Sequence, residues 1–335
     1  MKKTRVLVFV LVIFLFVTAT SNLFAAGAKE QENKIVAYSA HEESIIEAMT
    51  GMWAKTYPDT KLEVIRMGSG EIISRVRAEA NRPQGDVIWS IGGEALEQNF
   101  DLLEMYEPKE WDQIEKVFKV GTNWLPYTAI VMVFIVNTDL LKDSEFPQTW
   151  VDLAKVKKGL IMANPAQSGS AYMQLANVLT IYGEEKGWQV IESIMQDILL
   201  SASSGAVPRV VADGEYAVGV TLEDNAQRYV AGGAPVKIVY AADGVVAAPD
   251  GVAKIKGSPN PAGAEMFLDW ATSTEVQNFL VEKMGRRPVH KGAKSPAGLP
   301  ALSTMNIVDY DFCWSADNRD KYLTQFSELV MKLGL

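Results

Sequence analysis

The stretch Lys158-Gly-Leu-Ile-Met-Ala-Asn-Pro-Ala-Gln-Ser-Gly-Ser-Ala-Tyr172 indicates both the fold and the site of this chain. Its apolar residues 159–163 are typical of a short buried strand, and Asn164-Pro165 ends that strand because proline cannot donate to a sheet. The turn Ser168-Gly-Ser170 then opens a segment whose apolar residues recur at helical spacing. The first N–H groups of a helix lack partners within the helix and lie at the positive end of its dipole, so the turn is suited to bind an anion. The alternative is that Ser168 or Ser170 only caps the helix.

The N-terminal end predicts an export signal. Three basic residues precede a short apolar run at residues 6–17, and the small residues Ala25-Ala-Gly-Ala28 follow it. This arrangement is typical of a cleaved signal peptide, which we place at residues 1–28, and it predicts an exported mature protein. The apolar run is short for a membrane span, although an uncleaved anchor is the alternative.

The composition limits the classes of partner. The chain has 335 residues, of which 48% are hydrophobic, and this length accommodates two domains. Its formal net charge of −9 becomes −12 once the three basic residues of the signal are removed, which disfavours nucleic acid and anionic membranes as partners. Cys313 is the only cysteine, so no intrachain disulfide can form, and we expect a monomer stabilised by its hydrophobic cores.

Strands and helices alternate in the first part of the chain. The sequence predicts strands at residues 34–39, 61–66 and 85–90, each followed by a turn or a helix. Such alternation predicts βαβ units and a mostly parallel sheet, in which ligands lie beyond the carboxyl ends of the strands. The residues of interest at these ends are Ser39, His41, Ser69, Gly70 and Trp89.

The second part of the chain adds a crossing strand and two further turns. The β-rich run at residues 128–137 is long enough to pass from one domain to another. The strand predicted at residues 216–221 leads into Leu222-Glu-Asp-Asn225, and a Ser/Gly turn lies at Ser203-Ser-Gly205. Glu223 and Asp224 could stabilise a helix N-terminus electrostatically or accept hydrogen bonds from a ligand, and we expect one of them to be a ligand contact.

Four segments of the chain carry a resemblance to a known family. They are the strand at residues 34–39 with His41 just after it, Gly85-Asp-Val-Ile-Trp-Ser90, Ala248-Pro-Asp-Gly-Val-Ala-Lys-Ile255 and the helix Pro261-Ala-Gly-Ala-Glu-Met-Phe-Leu-Asp269. In these segments the chain resembles the iron(III)-type branch of bacterial periplasmic substrate-binding proteins of ABC importers, and the resemblance covers nearly all of the mature chain.

That resemblance implies an α/β fold of the two-lobed periplasmic-binding-protein type (type II), with two mixed, mostly parallel sheets and a β-strand hinge. The hinge would run through residues 129–136 and a partner near residues 239–248. Lobe 1 would contain residues 29–132 and 245–335, and lobe 2 would contain residues 133–244. The implied partners are a small solute and a cognate ABC permease in the inner membrane, and no cofactor is implied.

The sequence departs from the iron binders of that family at the metal site. Those proteins carry a Tyr-Tyr pair where this chain has Leu222-Glu-Asp-Asn225, and a Glu where this chain has Ile91. Only His41 matches an iron ligand, and one imidazole is a poor lone ligand for Fe(III). Iron uptake, with Fe(III) held by His41, carboxylates and a bound anion, is the alternative function.

The chain looks closer to a sub-branch that binds phosphorylated sugars or phosphonates. The shared pieces include Tyr38-Ser-Ala-His41, Gly68-Ser-Gly-Glu71 and Asn164-Pro-Ala-Gln-Ser-Gly-Ser-Ala-Tyr172. Ser/Gly turns at helix starts offer hydroxyl and amide donors to phosphate oxygens, and Trp89 and Tyr172 could pack on a sugar. We therefore expect a small anionic, phosphorylated organic solute. The expected ligand-binding residues are Ser39, His41, Ser69, Gly70, Trp89, Ser168, Gly169, Ser170, Tyr172, Ser204, Glu223 and Asp224.

Two further expectations concern charge and catalysis. Arg286-Arg287 could reach a phosphate, but we expect these residues to form a solvated helix end that the dipole favours. Catalysis is not expected, because zinc-type spacing, a nucleophile elbow, a Walker loop and a Rossmann fingerprint are missing from the sequence. The sequence therefore predicts a binding protein without a metal or cofactor.

Overall fold

The computed structural model describes residues 33–157, 159–291 and 293–335. The predicted signal peptide lies outside the described residues. The strands of the described chain are β1 (Lys34–Ser39), β2 (Lys61–Arg66), β3 (Val87–Gly92), β4 (Leu103–Glu104), β5 (Leu125–Asn137), β6 (Leu160–Ala163), β7 (Ile198–Ser201), β8 (Val218–Leu222), β9 (Val236–Val239) and β10 (Ala247–Ile255).

The helices form where apolar residues recur at helical spacing. In the first of them, Ile45, Met49 and Trp53 follow one another every four residues and are buried on one face. No helix of the described chain is long and apolar enough to cross a membrane. The described helices are α1 (Glu43–Thr56), α2 (Ser69–Ala78), α3 (Gly93–Gln98), α4 (Trp150–Leu153), α5 (Gly169–Tyr182), α6 (Glu184–Ile194), α7 (Val207–Ala212), α8 (Glu223–Ala231), α9 (Pro261–Ala271), α10 (Thr274–Met284), α11 (Phe312–Asp317) and α12 (Arg319–Leu333).

The strands form one mixed sheet in the order β2-β1-β3-β10-β5-β8-β6-β7, with β4 paired to β10 and β9 paired to β5. Parallel pairs join β1 to β2 and β3, and join β6 to β7 and β8, as the alternation of strands and helices predicts. The pairs made by β5 and β10 in the centre are antiparallel. The predicted mixed α/β class is confirmed, and the parallel pairing lies in the outer strands.

β5 joins two parts of this sheet. Its beginning pairs with β10, where Val131 lies opposite Ala247, and its end pairs with β8, where Met132 lies opposite Leu222. Every residue of β5 is buried. We call the strands β2, β1, β3, β10 and β4, with the helices packed on them, the first half, and we call β8, β6, β7 and β9 with their helices the second half. The hinge strand predicted at residues 129–136 lies within β5.

Each half has its own hydrophobic core. Trp53, Trp89 and Phe267 are buried together in the first half. Phe134 and Trp150 are buried together in the second half, with ring centroids 5.1 Å apart. Fully burying one large apolar side chain stabilises the folded state by about 1.5–3 kcal/mol, so the core of each half stabilises the strands of that half.

The C-terminal helix packs on the second half. Tyr322, Phe326 and Leu329 of α12 lie in the same core as Phe134, and the Tyr322 hydroxyl donates to Glu184 of α6. The lobe boundaries stay a prediction. α12, which the resemblance places in lobe 1, has its apolar face packed on the core of the second half.

Candidate functional site

A cavity lies between the two halves at the carboxyl ends of the strands. It is lined by the residues that follow β1, β6 and β7 and by the last residues of β3 and β8. Its volume is about 70 Å³, and it adjoins a wider mouth of about 450 Å³ that shares Ser69, Ser168 and Ser203 with it. In a sheet with parallel outer strands, the turns that lead from strand to helix lie at this edge, and the sequence predicts the ligand site there.

Six helices begin at this cavity, and none of the six has a side-chain cap. Residues at or beside their N-cap positions line the cavity, namely Glu42 for α1, Ser69 for α2, Gly92 for α3, Ser168 for α5, Gly205 for α7 and Leu222 for α8. No side chain at these N-caps accepts a hydrogen bond from the first turn of its helix. The first N–H groups of these helices therefore have no capping side chain as a partner. The positive dipole ends of the helices converge on the cavity.

Four of the six helices that begin elsewhere in the described chain do have a side-chain cap. The N-cap side chains Thr149, Asn260, Ser273 and Asp311 accept a hydrogen bond from the first turn of α4, α9, α10 and α11. Only α6 and α12 of the described helices begin away from the cavity without such a cap. The concentration of uncapped helix starts at one cavity is an arrangement suited to an anion.

Three serine hydroxyls form a triangle on the wall that belongs to the second half. Ser168 Oγ lies 3.0 Å from Ser170 Oγ and 3.1 Å from Ser204 Oγ, and the last two oxygens are 2.8 Å apart. A hydroxyl proton rotates freely, so these three donors can bond one another or turn towards a bound anion. The alternative that Ser168 only caps α5 is wrong, since its side chain makes no cap hydrogen bond.

Ser69 reaches the same place from the first half. It begins α2, is 4% exposed and lines both the cavity and its mouth. A Cβ atom built on Gly169 would lie only 3.2 Å from Ser69 Oγ. The starts of α2 and α5, which the sequence identified separately, therefore face each other across the cavity.

Arg286 is a charged group of the cavity wall that lies deep between the halves. Its Nη2 donates to Asp250 Oδ2 at 3.2 Å, its Nη1 lies 3.1 Å from His41 Nδ1, and its Nε lies 3.7 Å from Asp224 Oδ2. The expectation that Arg286-Arg287 form a solvated helix end is wrong, because these residues are only 4% and 3% exposed and pair with buried carboxylates.

His41 is neutral and has partners at both ring nitrogens. Burial, together with the positive charge of Arg286, lowers the pKa of His41 well below its ordinary value. Since a guanidinium can only donate, Nδ1 is the acceptor and Nε2 carries the proton, directed at the Tyr127 hydroxyl 3.4 Å away. The ring also packs edge-on against Trp89, with centroids 4.8 Å apart. His41 thus holds Arg286 in place and has no free nitrogen for a metal.

Asp250 is the carboxylate that balances Arg286 in the cavity wall. Its Oδ1 accepts from the Thr128 amide at 2.9 Å and the Thr128 hydroxyl at 2.6 Å, and its Oδ2 accepts from the Ser90 hydroxyl at 2.6 Å. Burial raises the pKa of Asp250, while Arg286 opposes that rise. Ser90 has a φ of +59°, in the left-handed region, which costs a non-glycine residue about 1–3 kcal/mol. The fold accepts this strain beside the charged pair.

Six of the twelve expected ligand-binding residues line the cavity, and six lie behind it. Those that line it are His41, Ser69, Ser168, Gly169, Ser170 and Ser204. Those that do not are Ser39, Gly70, Trp89, Tyr172, Glu223 and Asp224.

The two acidic residues at the start of α8 are engaged by arginines. Arg287 donates to Glu223 from Nε at 2.6 Å and from Nη2 at 2.9 Å, and the Tyr240 hydroxyl donates to the same carboxylate at 2.5 Å. Asp224 faces the Nε of Arg286. We therefore withdraw Glu223 and Asp224 as ligand contacts, because their oxygens are directed at buried cations of the protein.

The other four residues support the cavity from behind. The Ser39 hydroxyl is fully buried and accepts the His41 amide at 3.2 Å. Trp89 lies in the core of the first half, and the Tyr172 hydroxyl donates to the carbonyl of Ser315 at 2.5 Å. Gly70 faces a backbone carbonyl of the second half. Protein already covers the polar atoms or surfaces of these four residues, so we no longer expect them to contact the ligand.

Several polar residues of the cavity were missed by the sequence reasoning. Glu42 and Asn225 directly follow residues that were chosen, so the local signal was present one position further along each helix start. Ser90 also lies beside a chosen residue. The adjacent pair Arg286-Arg287 marked a possible phosphate contact, but the partners that bury Arg286 and Asp250 are far away in the sequence.

Carboxylates and imidazoles of the described chain do not gather as metal ligands do. Within residues 33–157, 159–291 and 293–335, no group of three or more His, Cys, Asp or Glu side chains is placed to hold a metal ion. The donors at the cavity are hydroxyls, helix N–H groups and one guanidinium, which suit an anion.

Comparison with known proteins gives a consistent class. A family model described as bacterial extracellular solute-binding protein matches residues 48–305. A Sinorhizobium fredii protein named "probable ABC transporter periplasmic-binding protein" is 26% identical over 75% of this chain and 75% of its own length. The Fe(3+)-binding periplasmic protein of Serratia marcescens is 23% identical over 77% of this chain and 79% of its own length.

A solved structure resembles the chain over nearly its whole length. The periplasmic binding protein AfuA of Actinobacillus pleuropneumoniae, determined with exogenous fructose-6-phosphate bound, is 28% identical. The two structures superpose with a TM-score of 0.84 over 89% of this chain and 98% of that protein.

Proposed function

This chain belongs to the bacterial extracellular solute-binding proteins, as the periplasmic binding component of an ABC transporter, and we propose that it captures a small phosphorylated organic anion. The predicted resemblance to the iron(III)-type branch and to its sugar-phosphate-like members is confirmed, and so is the type II fold. A cognate permease follows from the family. The identity of the solute, the monomeric state and the binding residues are parts of the proposal.

The observation that carries the proposal is the convergence of the uncapped starts of α1, α2, α5 and α8 on one cavity, with three serine hydroxyls among them. A charged group near one helix start gains about 0.3–1 kcal/mol, or up to about 2 kcal/mol when partly buried. Hydroxyl and amide donors bind an oxyanion without a cluster of cations, so a protein with a net charge of −9 can bind a phosphate locally.

The remainder of the solute would meet a different set of groups. Glu42 lines the same cavity and offers carboxylate oxygens as acceptors, and Asn225 adds a side-chain amide. Such oxygens suit the hydroxyl groups of a sugar or the ammonium group of an aminoalkyl chain. This combination of donors and acceptors supports a phosphorylated polyol or amine over inorganic phosphate. AfuA, with fructose-6-phosphate bound, gives independent support for a sugar phosphate.

The mechanism we propose is closure of two lobes on the solute. Ser69 belongs to the first half, and the serine triangle belongs to the second half. A solute that bonds both sets binds the closed form better than the open form, so it shifts the population towards closure. Bending at β5 and at the segment entering β10 would accommodate the motion, and the closed form would dock on the permease. No bond is made or broken in this cycle, so we propose a binding role without catalysis.

Iron is less well supported as the cargo. The relative from Serratia marcescens is an iron-binding protein, but both ring nitrogens of His41 in this chain face protein partners. The carboxylates Asp250 and Asp224 are directed at Arg286, which also contacts His41. A cation at this place would have to displace a buried guanidinium.

A thermal-shift comparison tests the proposal. The mature protein would be heated alone and with fructose 6-phosphate, glycerol 3-phosphate, aminoethylphosphonate, inorganic phosphate or Fe(III) citrate. A solute at 100 times its Kd adds about 2.7 kcal/mol of stability, which corresponds to a rise in Tm of about 4 °C for a chain of this length. We expect an organophosphate to give that rise and Fe(III) citrate to give none. A rise with Fe(III) citrate alone would refute the proposal.

A further inference from the structure

We infer that Gly68 and Gly70 are positioning residues whose missing side chains allow the two halves to close and bring Ser69 to the serine triangle. The inference rests on the proposed function in one respect, since it supposes that the halves part and meet around a solute. It assigns the close fit between the halves to two named positions that do not themselves hold the solute.

The start of α2 meets the turn before α5 at backbone distance. A Cβ atom at Gly68 would lie 2.8 Å from the carbonyl oxygen of Gln167, and one at Gly70 would lie 2.7 Å from the carbonyl oxygen of Ala166. Real Cβ atoms essentially never come within 3.0 Å of another heavy atom. The opposing atoms are backbone carbonyls, so they cannot rotate away as the end of a long side chain can.

The backbone at both positions accepts alanine without strain. Gly68 has φ −69° and ψ 152°, an extended conformation open to any residue. Gly70 lies within α2, and neither glycine has a positive φ. Alanine in a helix is favoured over glycine by about 0.5–1 kcal/mol. A methyl group here therefore conflicts only with the opposite half, and the conflict exists only while the halves touch.

Closure at this point completes the donor set of the cavity. Ser69 lies between the two glycines, and its hydroxyl would be 3.2 Å from a Cβ on Gly169. Ordinary van der Waals contact begins at 3.4 Å, so two added methyl groups would hold the halves roughly 0.5–1 Å further apart. A hydrogen bond of about 2.8 Å from the Ser69 hydroxyl to the solute would be lengthened by that amount, beyond the range of a good hydrogen bond.

A pair of residues beside the cavity reports closure without lining it. The Arg228 Nη1 in α8 donates to the Ser44 hydroxyl in α1 at 2.9 Å, which joins the two halves. Neither residue lines the cavity. Ser44→Cys with Arg228→Cys, in a Cys313→Ser background, gives two thiols that a short bifunctional maleimide can join only when the halves are together.

The experiment measures the rate of this cross-link in the full mature chain, with and without fructose 6-phosphate. It compares the parent, Gly68→Ala, Gly70→Ala and the double variant. Gly51→Ala is the matched control, because it also adds a methyl group to a helix and nothing lies within 4 Å of the added atom. Circular dichroism and the Tm of each variant without solute show whether it is folded.

We expect the double variant to cross-link at least twofold more slowly than the parent both with and without the solute, at an unchanged or higher Tm, and Gly51→Ala to match the parent. Equal rates in the parent and the folded glycine variants would overturn the inference while leaving the proposed function intact. A parent rate that fructose 6-phosphate does not raise would count against that solute, and the rates without solute would still decide the role of the glycines. If the double variant does not fold, the two single variants decide the result.

Discussion

Replacing two hydroxyls of the serine triangle should weaken anion binding strongly without harming the fold. The change is Ser168→Ala combined with Ser170→Ala, which leaves Ser204 as the only hydroxyl of the three. Without solute, the three oxygens bond one another at 2.8–3.1 Å, and with an oxyanion present their protons can turn to it. The variant therefore removes two of the neutral donors that the second half offers.

The size of the effect follows from the kind of hydrogen bond that is lost. A hydrogen bond to a charged group contributes about 1.5–3 kcal/mol, and part of that gain offsets the mutual bonds of the serines. A net loss of about 2–4 kcal/mol for two donors corresponds to roughly 30-fold to 1000-fold in Kd. Ser170 lies in α5, where alanine is the better helix former, so the Tm without solute should stay the same or rise.

Isothermal titration with fructose 6-phosphate measures this loss directly. Ser193→Ala is the matched control, because the Ser193 hydroxyl only bonds a backbone carbonyl of its own helix α6. Its Kd should equal that of the parent. A Kd for the double variant within threefold of the parent would refute the assignment of the triangle as an anion site.

Three further perturbations test the charged residues around the cavity. Glu223→Gln should lower the free energy of unfolding by about 3–5 kcal/mol in urea titrations, because Arg287 then lies buried without its carboxylate, while the Kd for fructose 6-phosphate changes less than threefold. Arg286→Met should lower the free energy of unfolding by a similar amount, because Asp250 is then left unpaired. Adding Asp250→Asn should recover more than half of that loss, and losses that simply add would contradict the pairing. Burial lowers the pKa of His41, so below about pH 6.5 the unfolded chain binds a proton that the folded chain does not. The free energy of unfolding should therefore fall as the pH drops below about 6.5, by up to about 1.4 kcal/mol per pH unit. Urea titrations between pH 5 and 6.5 should show a shallower fall for His41→Gln, and equal slopes would contradict the neutral histidine.

The sequence predicted those parts of the site that depend on local signals. A small polar turn after an apolar strand marks a helix start at the carboxyl edge of a sheet, and this pattern identified Ser69, Ser168, Ser170 and Ser204. Parallel pairing of β6 with β7 then brings two of these turns together, so residues 34 positions apart share one hydrogen bond. The crossing strand was also visible, because a long β-rich run is rare in a single small sheet.

The charged part of the cavity depends on pairs that are distant in the sequence. Arg286 follows the end of α10 at Gly285, which by itself is typical of a solvated helix end. Its partners Asp250 and His41 are 36 and 245 residues away. Glu223 looked free for the same reason, because Arg287 lies 64 residues further on. Such ion pairs become apparent only when the two halves are assembled.

The most direct test of the central claim is an isothermal titration that pairs each phosphorylated solute with its unphosphorylated counterpart. Fructose 6-phosphate with fructose, and glycerol 3-phosphate with glycerol, would be titrated into the mature protein, with Fe(III) citrate as a separate titrant. The account predicts that at least one phosphorylated solute binds 100-fold or more tightly than its counterpart, since about 3 kcal/mol comes from the helix starts and hydroxyls. Equal affinity within each pair, or binding of Fe(III) citrate alone, would contradict it.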